Sequence, residues 1–229
     1  MLSKPIRLAI LDSHVLFRKT LRNFLLEQKN VDFVIQASRM AELLDKLSLS
    51  TVDILIMDSM VEDMNCIDAV KTVRTEYPFI HILILTMSTE MDLISDLMDS
   101  GIHGYISKSE EPEDLLQAIQ SVSENRIYRN RLFTEALYWN RQNSNDIRHY
   151  RDGLLVTLNE REKRIVSLIW EEKSNKEIAE ELFLGVRSIE KIRQDLKEKI
   201  AVKSTIGLIK YAIDQRIIKV GARNSEALR

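Results

Sequence analysis

The sequence contains little cysteine and no long hydrophobic run. Its single cysteine, Cys66, excludes an intramolecular disulfide and fits a protein of the reducing cytosol. The amino-terminal apolar run, Leu8 to Leu11, ends at Asp12 and is far shorter than the core of a secretory signal. Because no stretch of about 18 apolar residues occurs, we expect no membrane-spanning helix and predict a cytoplasmic protein.

Two further absences exclude common kinds of site. The six glycines form no glycine-rich phosphate-binding loop. The four histidines do not show the spacing of metal ligands, since they are scattered along the chain: His14, His81, His103 and His149. The sequence therefore predicts neither a nucleotide-binding loop nor a histidine-rich metal centre.

The length and the charge distribution suit two domains. The chain has 229 residues, enough for two domains of about 100 residues each, and its 45% apolar and 30% charged residues are typical of globular proteins. Residues 1–125 carry a net charge of −9, and residues 126–229 carry +7. The basic half is the candidate for binding a polyanion, although ordinary compositional drift explains the difference equally well.

The acidic half alternates apolar runs with amphipathic stretches. Runs rich in Ile, Leu and Val are typical of strands buried on both faces of a parallel sheet, and five strands are predicted: 6–11, 31–36, 52–57, 80–85 and 103–106. Five helices are predicted between and after them: 15–27, 40–47, 67–77, 91–99 and 113–124. Phe17, Leu21 and Leu25 form a helical stripe, and Pro112 stands where the last helix would begin. The pattern predicts a doubly wound α/β domain with a five-stranded parallel sheet.

Polar residues stand at the ends of four of these strands. Asp12, Asp58 and Thr86 end three apolar runs, and Lys108 follows the last strand by two residues. In such sheets, ligands bind at the carboxyl ends of the strands. A carboxylate there can be a nucleophile, an oxygen-bound divalent cation can offset charge, and a lysine and a threonine can hold phosphoryl oxygens. Each residue alone is more often a cap or turn residue, but the ordered set predicts a phosphoryl site.

These motifs resemble the receiver domain of two-component response regulators over essentially the whole acidic half. The resemblance is carried by RLAILDSHVLFR, by VDILIMDSMVEDMNCIDAVKTVR and by HILILTMSTEMDLISDLMDSGIHGYISKSEEPEDLLQAI. It implies a flavodoxin-like receiver domain, residues 1–125, in which a sensor histidine kinase phosphorylates Asp58 with Mg²⁺ bound. It also implies a phosphoryl pocket formed by Asp12, Ser13, Thr86 and Lys108. Thr86 and Tyr105 would be the switch pair. The metal ligands would be Asp12, Asp58 and the backbone carbonyl of Met60.

The pocket departs from the family pattern. The family has a second acidic residue where this chain has Ser13, so that three pocket carboxylates become two. Glu62 and Cys66 stand where the family has proline and glycine, and without that glycine the loop that bears the carbonyl ligand can take another path. We expect weakened Mg²⁺ binding and slower phosphotransfer, with Glu62 as a candidate replacement ligand. His14 is given no catalytic role.

A polar segment separates the two halves. Residues 126–152 are dense in Asn, Arg and Gln and predict a linker, with a helical pattern around Phe133–Arg141. Within it, Leu137, Tyr138 and Trp139 are interpreted as packing against one of the two domains rather than as a ligand site.

The basic half predicts four helices over residues 153–220, followed by a tail, 221–229. Capping boxes are predicted at Thr157 with Glu160 and at Ser174 with Glu177. Two short helices joined by a tight turn that contains Gly185 are typical of a helix-turn-helix. The third helix is predicted over 187–199 and the fourth over 204–214, with four apolar residues facing inward: Ile189, Ile192, Leu196 and Ile200.

The polar positions of the third helix carry side chains of the types that contact base edges and phosphates, although a solvated helix face is the alternative. The order of residues, above all SNKEIAEELFLGVRSIE, resembles the LuxR-type effector domain, and the chain is identified as a response regulator of the NarL/FixJ type. The resemblance implies binding to double-stranded DNA as a homodimer, with the third helix as recognition helix. It implies base contacts from Glu190, Lys191 and Gln194 and phosphate contacts from Arg187, Arg193 and Lys197. It also implies that Lys199 contacts DNA.

Other functions remain open at this point. The first is a DNA-binding regulator with a degenerate receiver that is controlled by a protein partner or by abundance. A hydrolase with an aspartyl nucleophile is disfavoured, because neither Asp12 nor Asp58 has a second acid two residues away. A protein-binding adaptor leaves the basic third helix unexplained. We therefore predict a transcription regulator that is not an enzyme.

Overall fold

The structure, a computed structural model, describes residues 5–143 and 158–218 and forms two compact units, Met1–Ser144 and Asn145–Arg229. The first unit alternates strands and helices. Its elements are β1 (Ile6–Leu11), α1 (Val15–Leu26), β2 (Val31–Ala37), α2 (Met40–Leu49), β3 (Ile54–Met57), α3 (Cys66–Glu76), β4 (His81–Thr86), α4 (Met91–Ser100), β5 (Gly104–Ser107), α5 (Pro112–Ser123) and α6 (Arg131–Asn143). No helix within the described ranges is both long and apolar enough to cross a membrane.

The five strands form one parallel sheet in the order β2-β1-β3-β4-β5. The predicted doubly wound fold is thereby confirmed. The register pairs Leu11 with Met57, Met57 with Ile84, and Ile84 with Tyr105, so that neighbouring strands end close together. Polar residues that follow these strands therefore meet at the same edge of the sheet.

Burial explains why the strands were recognisable in the sequence. Strands β3 and β5 are buried along their whole length, and β4 is buried after His81. On one face of the sheet, α1 contributes Leu21 and Leu25 to the core, and the partly buried Phe17 packs against the same cluster. The helical stripe predicted for α1 is confirmed.

Strand bounds differ from the predicted ones by up to two residues, and β3 shows the largest difference. The prediction began at Val52, but the strand begins at Ile54. The Asp53 carboxylate accepts hydrogen bonds from Arg7, including one from the Arg7 backbone N–H at 2.9 Å and one from the Arg7 Nε at 2.8 Å. This ion pair joins the amino ends of β1 and β3, where the Asp53 backbone also bonds Arg7 and His81.

Helix α6 packs against α4 and β5 of the same unit. Phe133, Ala136 and Leu137 are buried there. Trp139 is 40% exposed, and its indole Nε1 donates to the Asp92 carboxylate of α4 at 2.8 Å. Leu137 therefore packs as interpreted from the sequence, whereas the side chain of Tyr138 lies outside the described part of the chain.

The second unit consists of four helices in its described residues: α7 (Glu160–Trp170), α8 (Asn175–Glu181), α9 (Val186–Lys199) and α10 (Thr205–Asp214). Their apolar faces form the core, with the following side chains buried: Ile165, Leu168, Ile178, Ile189, Leu196 and Leu208. The predicted helical domain is confirmed. His149, Thr157 and the predicted tail, 221–229, lie outside the described residues.

Two capping boxes start helices in this unit. The box of Ser174 with Glu177 at the start of α8 is confirmed, since each side chain bonds the other's backbone N–H. The prediction for α7 was wrong by two residues: Asn159 is the N-cap, and Glu162 completes the box. Asn is as good an N-cap as Thr, and Glu162 supplies the required carboxylate three residues on.

All four helices end with a residue in the left-handed conformation, and none of these residues is glycine. They are Glu172, Phe183, Ala201 and Arg216, with φ between 55° and 61°. In each case the next backbone N–H bonds a carbonyl five residues back, as in a Schellman motif. The predicted turn before α9 exists, but its left-handed residue is Phe183, whereas Gly185 has φ −78° and caps α9.

Replacing Ala201 with glycine should stabilise the second unit by about 0.5 kcal/mol. A left-handed conformation costs a non-glycine residue about 1–2 kcal/mol, and glycine avoids this cost. Part of the gain in stability is lost because glycine also makes the unfolded chain more flexible. Urea unfolding of the chain followed by circular dichroism measures the change. Glu198→Gly, at an exposed helical position of α9, should instead be destabilising; a loss of stability in Ala201→Gly would contradict the role of this motif.

Candidate functional site

The pocket at the carboxyl edge of the sheet is built from the residues that follow β1, β3 and β5. Backbone hydrogen bonds fix their places: Asp58 N–H donates to the Leu11 carbonyl at 2.9 Å, and Lys108 N–H to the Thr86 carbonyl at 2.9 Å. Asp12 and Asp58 are each only 3% exposed. Lys108 Nζ lies 2.7 Å from Asp12 Oδ2 and 2.5 Å from Asp58 Oδ2. The predicted acidic pair and lysine therefore meet in one pocket.

The charges in this pocket do not balance. Two buried carboxylates face one ammonium group, which also lies 4.5 Å from the centre of the Phe17 ring. Isolated charges are costly to bury, so this arrangement depends on Lys108 and still leaves an excess of negative charge. The excess makes the pocket attractive to a cation.

The predicted switch residues are held by two loops, the one that follows β3 and the one that follows β4. Thr86 is 1% exposed, and its hydroxyl lies 2.6 Å from that of Ser59. Tyr105 is fully buried, and its hydroxyl donates to the Ser88 carbonyl at 2.6 Å. Burial, followed by smaller effects that include the Asp58 charge, raises the pKa of Tyr105. Ser59 and Ser88 were not predicted as site residues, and no spacing in the sequence connects them to Thr86 and Tyr105.

The departures from the family pattern leave the contacts of Lys108 with Asp12 and Asp58 in place. Cys66 is buried as the first residue of α3 and does not adopt the left-handed conformation, so glycine is not required there. Ser13, which lies between Asp12 and His14 in the sequence, is partly buried. Glu62 is exposed and does not belong to the group of possible metal ligands found among residues 5–143 and 158–218. The structure therefore does not favour Glu62 as the replacement ligand.

His14 stands where sequence reasoning assigned no role. Its backbone N–H donates to Asp12 Oδ1 at 2.7 Å, and its ring Nδ1 lies 3.0 Å from the same oxygen and 3.8 Å from Asp58 Oδ2. Asp12, His14 and Asp58 can each offer one ligand atom within 4.8 Å of the others. The donor set of the pocket thus fits a divalent cation. The backbone of Met60 is also adjacent, because its N–H donates to Asp58 Oδ1 at 3.3 Å.

Helix α9 presents a polar surface in the second unit. Of the predicted DNA contacts, those exposed on this helix are Arg187, Glu190, Lys191, Gln194 and Lys199. Lys197 is partly buried. Gln194 Nε2 donates to Glu198 Oε1 at 2.7 Å, and Lys199 Nζ donates to Glu162 of α7 at 2.7 Å. Lys199 therefore ties the end of α9 to the start of α7.

Arg193 is placed differently from its predicted role. Its guanidinium group donates to Asn175 Oδ1 of α8 and to Thr205 Oγ1 of α10, the latter at 3.1 Å. Burial lowers the pKa of Arg193 to about 10. Arg193 lies four residues after Ile189 and three before Leu196, so it shares their inward face. The predicted phosphate contact does not fit this placement, and the spacing could have indicated it.

Two family models match the chain. The response regulator receiver domain matches residues 8–120, and the luxR family of bacterial regulatory proteins matches residues 156–212. The first match contains the whole acidic pocket, and the second contains α7 to α9 and most of α10. The chain is a response regulator.

Relatives of this response regulator share its two-part organisation. The chain is 28% identical over 217 residues to the oxygen regulatory protein NreC of Staphylococcus epidermidis. This match covers 93% of the chain and 99% of NreC. The structure of the RcsB–DNA complex matches 92% of this chain and 98% of that chain, with 22% identity and a TM-score of 0.56. A structure of two RcsB dimers bound to two parallel DNAs matches the same shares with 20% identity and a TM-score of 0.57. At these identities, the two structures show a shared fold.

The thiol beside the receiver pocket should react slowly in the native protein. Burial, and secondarily the Asp58 charge, raise the pKa of Cys66 to about 12. At pH 8 only about one thiol in 10⁴ would be ionised, and the thiolate is the reactive form. Reaction with Ellman's reagent should therefore be at least about 100-fold slower than for an exposed thiol, and should become fast in denaturant. Rapid labelling of the native protein would contradict this burial.

Proposed function

We propose that this response regulator is a transcription factor of the cytoplasm in which phosphorylation of Asp58 controls DNA binding by α9. The observation that carries the proposal is the contact of Lys108 Nζ with both pocket carboxylates. A phosphoryl group on Asp58 would compete for this ammonium group. Phosphorylation of Asp58 would therefore change the contacts of Lys108 that join the ends of β1, β3 and β5.

The chemistry assigns a role to each pocket residue. Asp58 would attack the phosphorus of a phosphohistidine on a sensor kinase, so that an O–P bond forms and the P–N bond breaks. Lys108 would pair with the phosphoryl oxygens. The Thr86 hydroxyl would exchange its contact with Ser59 for one with a phosphoryl oxygen. The pocket cation, Mg²⁺ in the family that the chain resembles, would be held by Asp12, Asp58 and the Met60 carbonyl and would offset the phosphoryl charge.

A change at Thr86 can reach the surface through short contacts. The Thr86 hydroxyl also accepts a hydrogen bond from Ser88 N–H at 3.3 Å, and the Ser88 carbonyl accepts from Tyr105. This loop leads directly into α4, on which α6 packs. Asn130, just before α6, donates to the Tyr105 carbonyl at 2.8 Å. We propose that Thr86 and Tyr105 act as the switch pair by altering how α4 and β5 hold α6.

Exposed apolar side chains near the pocket support a protein phosphodonor. Leu16, Met60 and Met87 are 81%, 71% and 68% exposed, and each follows a pocket residue by four positions or fewer. Exposed apolar groups of this kind mark protein interaction sites when they cluster around a polar centre. We propose that a sensor histidine kinase docks here.

The phosphorylation step is tested with a small phosphodonor. The purified chain, incubated with phosphoramidate and a divalent cation, should gain one phosphoryl group by intact mass, and Asp58→Asn should gain none. Asp96→Asn, which removes an exposed carboxylate of α4, is the matched control and should behave like the wild type. Phosphoryl gain by the Asp58→Asn variant would overturn the assignment of the acceptor.

The DNA-binding step rests on the exposed polar surface of α9. A recognition helix that follows a tight turn fits the major groove, and paired helices of a homodimer fit two half-sites. We propose that Glu190, Lys191 and Gln194 read base edges and that Arg187 and Lys197 contact phosphates. Lys199 would assist only if its ion pair with Glu162 opens.

Two lysine variants separate the proposed roles on DNA. Lys191→Ala should lower affinity for the preferred sequence by about 5- to 150-fold, the equivalent of about 1–3 kcal/mol, with less effect on unrelated DNA. Lys197→Ala should weaken all sequences alike and reduce the salt dependence by about one unit of slope. Fluorescence anisotropy with selected genomic fragments measures both, and Lys163→Ala of α7 is the control. Equal losses on every sequence from both variants would contradict this division.

A second candidate function keeps DNA binding but omits phosphorylation. Ser13 favours it, because the pocket has two carboxylates where the family has three. In that case a protein partner or the amount of protein would control activity. Unchanged promoter control by Asp58→Asn in cells would support this second function, whereas loss of control would support phosphorylation.

A further inference from the structure

The position of His14 bears on which cation the receiver pocket takes. Its Nδ1 atom lies 3.0 Å from Asp12 Oδ1 and 3.8 Å from Asp58 Oδ2. A cation with coordination distances of about 2.0–2.2 Å can contact two atoms at such separations. Within the described ranges of the chain, Asp12, His14 and Asp58 are the one group of three or more such residues with this proximity.

Lys108 does not contact every carboxylate oxygen of the pocket. Its ammonium group contacts the Oδ2 atoms of Asp12 and Asp58. The Oδ1 atom of Asp12 instead faces the backbone and the ring of His14. A cation between Asp12 Oδ1 and His14 therefore does not have to displace Lys108 from Asp12, whereas at Asp58 it would share Oδ2 with Lys108.

The burial of the three residues suits a binding site that is open to solvent. The two aspartate side chains are 3% exposed and held by Lys108, so they are already in place. The side chain of His14 is 65% exposed, whereas its backbone N–H is fixed by Asp12. The imidazole can thus turn towards a cation that enters from solvent.

The donor set indicates the class of cation. Mg²⁺ prefers oxygen ligands and strong negative charge, which Ser13 has reduced. An imidazole nitrogen with two carboxylates is instead a ligand set suited to first-row transition metals. We propose that His14 is the third ligand of the pocket cation and that the receiver selects a transition-metal dication, such as Co²⁺ or Zn²⁺, over Mg²⁺. This rests on the proposed function in one respect, that Asp12 and Asp58 form the cation site.

Isothermal titration of the whole chain with Co²⁺ and with Mg²⁺ tests the proposal. Co²⁺ binds most mixed sites more strongly than Mg²⁺, so the informative quantity is the effect of His14 on each ion. His14→Ala should lower Co²⁺ affinity by at least about 10-fold, the loss that removal of even an outer partner causes, and leave Mg²⁺ affinity within about twofold. The variant should fold, because the exposed ring is removed and the backbone bond to Asp12 remains.

Two further variants sharpen the experiment. Ser13→Asp restores a third carboxylate and should raise Mg²⁺ affinity, so that the preference for Co²⁺ falls. His81→Ala is the control, because His81 and His103 form a ring pair, 4.6 Å between centroids, at the opposite end of the sheet. It should leave Co²⁺ binding to the pocket unchanged.

Each outcome decides between the two claims. Equal loss of Co²⁺ and Mg²⁺ affinity in His14→Ala, no loss at all, or loss of Co²⁺ binding in His81→Ala instead, would overturn the role of His14. Phosphoryl transfer to Asp58 is measured separately by mass. Co²⁺ binding that depends on His14 without any phosphorylation would therefore refute the proposed function alone, and phosphorylation with His14-independent binding would refute this inference alone.

Discussion

Replacing Lys108 with methionine should destabilise the receiver by about 3 kcal/mol at neutral pH. Methionine keeps most of the length and apolar volume of lysine but removes the ammonium group that both pocket carboxylates contact. Two carboxylates that are 3% exposed would then face each other without a compensating charge. Removal of one partner from a buried ion pair is costly because the remaining charge stays buried. Urea unfolding of the chain followed by circular dichroism measures the loss.

Two other variants identify the cause of this loss. Lys71→Met breaks an exposed pair with Asp68 at the same lysine-to-methionine change and should cost no more than about 0.5 kcal/mol. Asp12→Asn combined with Lys108→Met leaves one buried carboxylate instead of two and should recover part of the stability. If Lys108→Met were as stable as Lys71→Met, the pocket would not depend on this ammonium group.

Replacing Arg193 with alanine should destabilise the DNA-binding unit by about 2–3 kcal/mol and leave the salt dependence of DNA binding unchanged. The guanidinium group donates to Asn175, which is 8% exposed, and to Thr205, so it joins α8, α9 and α10. Alanine would leave the Asn175 carbonyl oxygen without this charged donor inside the unit. Hydrogen bonds to charged groups contribute about 1.5–3 kcal/mol each, and loss of the packed side chain adds to this.

Thermal unfolding and DNA titration at several salt concentrations separate structure from recognition. The titrations are made well below the unfolding temperature of the variant. Arg187→Ala, on the exposed first turn of α9, is the control and should show the opposite behaviour: normal stability and a reduced salt slope. A stable Arg193→Ala variant with a reduced slope would return Arg193 to the phosphate contacts implied by the family resemblance.

The sheet and the centre of the pocket could be predicted from the sequence for a physical reason. Strands buried on both faces are nearly continuous apolar runs, so β1, β3 and β4 could be located to within two residues. Parallel strands place their carboxyl ends on one edge, so Asp12, Asp58 and Lys108 had to approach one another. Topology and composition were sufficient here because no side-chain orientation had to be known.

The remaining features depend on orientation and on contacts between distant elements. Arg193 resembles its charged neighbours in the sequence, but the phase of α9 turns it towards Asn175. No histidine or cysteine stands at metal-ligand spacing from His14 in the sequence. Its neighbours in the pocket are the carboxylates of Asp12 and Asp58, and Asp58 follows a different strand. Likewise, the contact of Ser59 with Thr86 joins the loop after β3 to the end of β4. The placements of His14 and Ser59 follow from packing and could not be derived from spacing alone, whereas the spacing of Arg193 from Ile189 and Leu196 indicates its inward face.

The hydrogen bond between Trp139 and Asp92 gives this protein an intrinsic optical probe. The chain contains two tryptophans, Trp139 on α6 and Trp170 on α7. In a Trp170→Phe variant, the remaining indole would emit from the place where α6 meets α4, and its wavelength would depend on whether Asp92 still accepts its N–H. Movement at this contact could then be followed in real time, without any attached dye, as a cation or a phosphodonor is added.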